Sequence, residues 1–118
     1  RKRNMRWCMV PDKFKRLKEL GVRQDGIFWW NNNQDQFDLS FTRSPDESCA
    51  AFSVAELGEM MPLQTASHQV DNQEWACIKF VRGDLPKYEH LEMAQTEADA
   101  RGRMLIYLIE NKLIEPPK

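Results

Sequence analysis

Hydrophobic and polar residues alternate along this chain in two rhythms, one of helical period and one of strand period. Phe14, Leu17 and Leu20 recur at helical spacing behind Pro11, a residue suited to a first helical turn, and Gly21 follows as a left-handed cap. Residues 27–30 are aromatic and strand-like, and residues 31–35 carry turn chemistry. Phe37, Leu39 and Phe41 then alternate with Asp38, Ser40 and Thr42, which predicts a hairpin with a half-buried second strand. After a loop at 44–48, Ser53 and Glu56 stand in capping-box spacing and open a short helix that runs to Met61 and stops at Pro62.

Residues 63–74 are polar and aperiodic and read as a loop. Beyond them Ala76, Ile78 and Phe80 share one face of a strand over 75–81, residues 83–86 turn the chain, and Leu91 and Met93 mark a strand over 88–94. Thr96 caps a last helix that reaches about residue 111, with acids in its first turn where they complement the helix dipole. Because residues 104–109 are apolar nearly all the way round, that helix should pack on the sheet and touch another helix as well. The sum is an α+β fold of order α-β-β-α-β-β-α, its hairpins forming a small antiparallel sheet packed on one side by the C-terminal helix.

Composition adds bounds. With 118 residues, 42% of them hydrophobic and 30% charged, the chain fits one domain with its own core, assigned to residues 11–115. No apolar run approaches the roughly 20 residues of a membrane span, and no signal-peptide pattern opens the chain, so a cytoplasmic location without membrane contact is expected. Residues 1–18 hold eight of the 17 Lys and Arg residues against one acid, which makes a basic head on an acidic body. Residues 1–10 are set apart as a basic tail, expression-derived or disordered. Cys8, Cys49 and Cys77 are odd in number and widely spaced, which favours reduced thiols over a disulfide framework.

The segments FSVAELGEMMP (residues 52–62) and TEADARGRMLIYLIEN (residues 96–111) resemble small uncharacterised proteins encoded by gut anaerobic bacteria and their phages. LKELG (17–21) followed by IFWW (27–30) is similar to the amino-terminal part of the same proteins. The resemblance implies a phage or prophage accessory setting, and it carries no activity and no site residues with it.

No catalytic template fits. The histidines are His68, placed in the 63–74 loop, and His90, in the last strand; Cys77 and His90 fall on one hairpin face and come nearest to a nucleophile-base pair, with a surface thiol and a surface imidazole as the ordinary alternative. Metal-ligand spacings and glycine-rich phosphate loops are missing, so no metal and no cofactor is expected. Trp29 and Trp30 are adjacent in a strand and point to opposite faces, so one should enter the core and the other should not. That second tryptophan, with Trp75, Cys77, Lys79, Tyr88, His90 and Glu92, is placed on the sheet face away from the core, as an aromatic surface for protein contact. A dimer contact or a further helix layer over that face is the alternative. The expectation is a non-enzymatic accessory protein that binds a protein partner or its own copy. A second reading is sequestration of a nucleotide-like signal by Trp29, Trp30, Tyr88, Lys79 and Arg82, and a third is nucleic-acid binding by the basic first segment.

Overall fold

The computed structural model describes residues 11–26, 28–33, 36–40, 48–62, 64–81 and 87–117. Helix α1 (Pro11–Glu19) is followed by strands β1 (Trp29–Asn33), β2 (Gln36–Ser40) and β3 (Ser48–Ala50), then helix α2 (Val54–Met60), strands β4 (Thr65–Gln69), β5 (Trp75–Phe80) and β6 (Tyr88–Ala94), and helix α3 (Glu97–Glu110). The α+β class and the broad element order are as expected, with β3 and β4 added. The hairpins do not merge into one sheet. They form two antiparallel three-stranded sheets, of order β2-β1-β3 and β4-β5-β6.

Local signals act as the sequence suggests. Gly21 adopts φ +94° beyond α1, the left-handed conformation that turns the chain out of the helix. At α2 the Ser53 hydroxyl accepts from the Glu56 backbone N–H at 3.3 Å, and the Ser53 N–H donates to the Glu56 carboxylate at 2.9 Å. Thr96 accepts from the Asp99 N–H at 3.1 Å and caps α3. Asn31 to Asn33, read as turn chemistry, continue β1 and pair with Asp38 to Gln36. The expected turn at 83–86 and the tail at 1–10 lie outside the described residues.

Helix α3 organises both halves. Its Ala98, Leu105 and Ile109 enter a core with Phe14 and Leu17 of α1, Trp29 and Trp30 of β1, Phe52, and Leu57 of α2. Its Ala100, Met104 and Leu108 enter a second core with Cys77 of β5, against which Trp75 and Ala94 pack. At 100° per residue these two triplets form stripes about 120° apart on one helix, which accounts for the apolar character of α3 nearly all the way round. Both tryptophans of β1 are buried, Trp29 at 8% and Trp30 at 7% exposure, so neither points outward. Trp30 meets Phe14 edge to face at 6.0 Å, and Trp29 pairs across the ladder with Ala50 of the same core.

Candidate functional site

The second sheet has two faces whose membership follows from register. Thr65, Lys79 and His90 form one cross-strand row, Ser67, Cys77 and Glu92 the next, and Gln69, Trp75 and Ala94 a third, all on one face. This is the face that α3 covers, so Trp75, Cys77, Lys79, His90 and Glu92 lie toward the helix layer rather than away from it. A helix layer occupies the surface expected to be open. Tyr107 of α3 stacks on the His90 ring, with centroids 3.4 Å apart and planes 4° from parallel. The His90 ring N–H donates to the Glu92 carboxylate at 2.6 Å, and Lys79 reaches Glu89 at 3.2 Å and the Phe80 carbonyl at 3.1 Å. Beside this cluster a groove of about 310 Å³ runs between α1, β6 and α3, bordered by Lys13, Arg16, Glu92, Arg103 and Tyr107. Its charges are largely answered internally, since Arg16 bridges to Glu110 at 2.6 Å and to Glu19 at 3.2 Å.

Cys77 and His90 share this face but are not cross-strand partners, because Cys77 faces Glu92 and His90 faces Lys79. The thiol is 1% exposed, and burial pushes it up to about 11, against a lowering by Arg101. Nucleophilic use needs the opposite shift. At pH 8 alkylation of Cys77 should therefore run about a hundredfold slower than that of an ordinary thiol, measured by mass spectrometry of the labelled peptide. The same shift makes stability fall with rising pH. Above the ordinary thiol value of 9.0 the unfolded chain loses a proton that the folded chain keeps up to about 11, so the urea midpoint should drop across that window more steeply than in Cys77→Ala.

The opposite face carries the rows Ala66, Ile78, Leu91 and His68, Ala76, Met93. Ile78, Phe80 and Met93 are half-buried, Leu91 is 37% exposed, and none of the four belongs to either core. A register shift between Lys79 and Phe80 sets Phe80 opposite Tyr88 and leaves Glu89 as the extra residue of a bulge. Glu89 turns to Lys79 on the helix side, and Tyr88, 55% exposed, is re-aimed to join Phe80 on the outer face. The outer face is thus Ile78, Phe80, Tyr88, Leu91 and Met93 around the buried Ala76, with Ala66 and His68 at its margin. Sequence alternation grouped the aliphatic members of this face correctly and took them for the core side.

The structure does not assemble the remaining expected sets. Trp29 and Trp30 are buried in the first core, whereas Lys79 and Tyr88 belong to the second sheet, and Arg82 lies outside the described residues. His68 stands in strand β4 and not in a loop. Among the described residues no group of three His, Cys, Asp or Glu could hold a metal ion, and no helix is long and apolar enough to cross a membrane. Sequence reading missed Arg101, whose guanidinium donates to Val54 O at 3.0 Å, Ser67 Oγ at 3.1 Å and Glu97 at 3.1 Å; its spacing of four from Glu97 is the available signal. Comparison with family models, curated proteins and solved structures gives no match.

Proposed function

We propose that this chain is a non-enzymatic accessory binding domain, acting in the cytoplasm in the phage or prophage setting that residues 52–62 and 96–111 suggest, and that it engages protein through the outer face of its second sheet. The observation that supports this reading is the apolar surface of Ile78, Phe80, Tyr88, Leu91 and Met93, which among the described residues joins neither core and exposes Tyr88 and Leu91, because contiguous apolar surface held in water marks contact sites. Tyr88 suits the role, offering a large ring with a hydroxyl at its tip. A photo-crosslinking residue placed at Leu91 should give a discrete protein adduct in cells, and the same residue at Lys15 on α1 should not. Leu91→Lys in a chain carrying the crosslinker at Tyr88 should abolish that adduct. Crosslinking at Leu91 no stronger than at Lys15 overturns the reading.

A further inference from the structure

We infer that a second copy of the chain pairs with the free edge of β4, antiparallel and centred on Ser67, so that two sheets join into one of six strands with a continuous outer face. The inference rests on the binding role of that face and names the partner that extends it.

Hydrogen-bond parity fixes which groups are available. Phe80 N–H donates to Gln64 O, and Val70 N–H to Glu74 O, each at 2.9 Å. Even-numbered residues of this strand therefore face β5, and Thr65, Ser67 and Gln69 direct their N–H and C=O groups to the open side. Among the described residues no backbone group outside the β4–β5 ladder bonds to these three. In an antiparallel pair of identical strands centred on Ser67, Thr65 faces Gln69 of the other copy and Ser67 faces itself. Every outward residue then falls in a hydrogen-bonded pair, and the two-fold symmetry is that of an isologous dimer. The intervening non-hydrogen-bonded pair sets His68 over Ala66, a large side chain beside a small one.

Charge permits the pairing. Residues 63–70 contain no Lys, Arg, Asp or Glu, so the self-paired register opposes no like charges. Edge strands are commonly guarded by charge, proline or a bulge, and β4 has none of these. The opposite edge, β6, has a bulge and the acids Glu89 and Glu92. A five-residue edge is a small contact beside the roughly 800 Å² per partner of a standard interface, so the dimer is a weak one.

Sedimentation of the full chain up to about 1 mM should show a monomer–dimer equilibrium. Gln69→Pro deletes an outward N–H that β5 does not use and should weaken association about tenfold or more, with the circular-dichroism spectrum and melting unchanged, whereas Gln69→Ala should dimerise like the parent. Amide exchange at Thr65, Ser67 and Gln69 should slow as concentration rises. A strict monomer at the top of the range overturns the inference, and so does a dimer that Gln69→Pro leaves intact. A dimer lost in Leu91→Lys but kept in Gln69→Pro means that copies meet face to face, which defeats the edge and spares the outer-face reading.

Discussion

Leu108→Ala is expected to lower the stability of the whole chain by about 2–5 kcal/mol, and to do so in a single transition. Leu108 is fully buried among Cys77, Ala100 and Met104, and its backbone carbonyl also accepts from Leu113 at 2.8 Å where the chain leaves α3. Truncation removes three methyl or methylene-sized groups from a site whose walls are held by a strand and a helix, so little collapse can fill the void. The cost should not stay in the second sheet. Helix α3 carries the Leu105 and Leu108 stripes on one backbone, and loosening it exposes both cores. Leu105→Ala should accordingly have an effect of the same order, and amide exchange in β1 and in β5 should quicken by similar factors in either variant. Acceleration confined to β4, β5 and β6 in Leu108→Ala would show that the two sheets open independently.

That dual role of α3 was readable, because residues 104–109 have no polar side and only a helix buried on more than one front tolerates that. The capping residues Ser53 and Thr96 and the alternation of β5 and β6 were readable for the same local reason: each signal lies within a few residues of the feature it specifies. The short strands were not. Strand β3 spans three residues, and β4 reads Thr-Ala-Ser-His-Gln with no apolar period, since its inward Ser67 is held by hydrogen bonds to Glu97 and Arg101 instead of by burial of hydrocarbon.

The candidate site failed at one specific step. Alternation groups Ile78 with Leu91 and Met93, and Cys77 with His90 and Glu92, yet it does not say which group the helix will cover. Burial of aliphatic side chains favours the first group, and the structure has the second, because Ala100, Met104 and Leu108 close over Cys77 while Tyr107 takes the His90 ring. The paired tryptophans failed differently. Both sides of β1 are packed, so adjacent residues of opposite direction are both interior. The bulge that moves Tyr88 comes with an ion pair between Lys79 and Glu89, a cross-strand contact that strict alternation does not encode.

Arg101→Met should cost about 1.5–3 kcal/mol, more than its place on a helix surface suggests. By angle Arg101 falls between the two apolar stripes of α3, and this lets one guanidinium bond to the start of α2 at Val54 and to β4 at Ser67 while Glu97, one turn away, takes the third donor. Methionine keeps much of the hydrocarbon stem and removes every donor, leaving Val54 O without the bond and Glu97 with Ser67 at 2.6 Å as its remaining partner in the cluster. The side chains are about one quarter exposed, so water recovers part of the loss and the figure stays below that of a fully buried ion pair. Gly58 supplies the sharper test. A Cβ added there would run into Arg101 Nη1, the end of a flexible side chain and the atom that holds Val54 O, so Gly58→Ala should displace that one bond and lose most of the roughly 1 kcal/mol that alanine's better helix propensity would bring. In the Arg101→Met background the obstruction is gone and the same substitution should become stabilising. A double-mutant cycle in urea would read this coupling, and additive effects at the two positions would mean that Arg101 does not join α2 to the sheet.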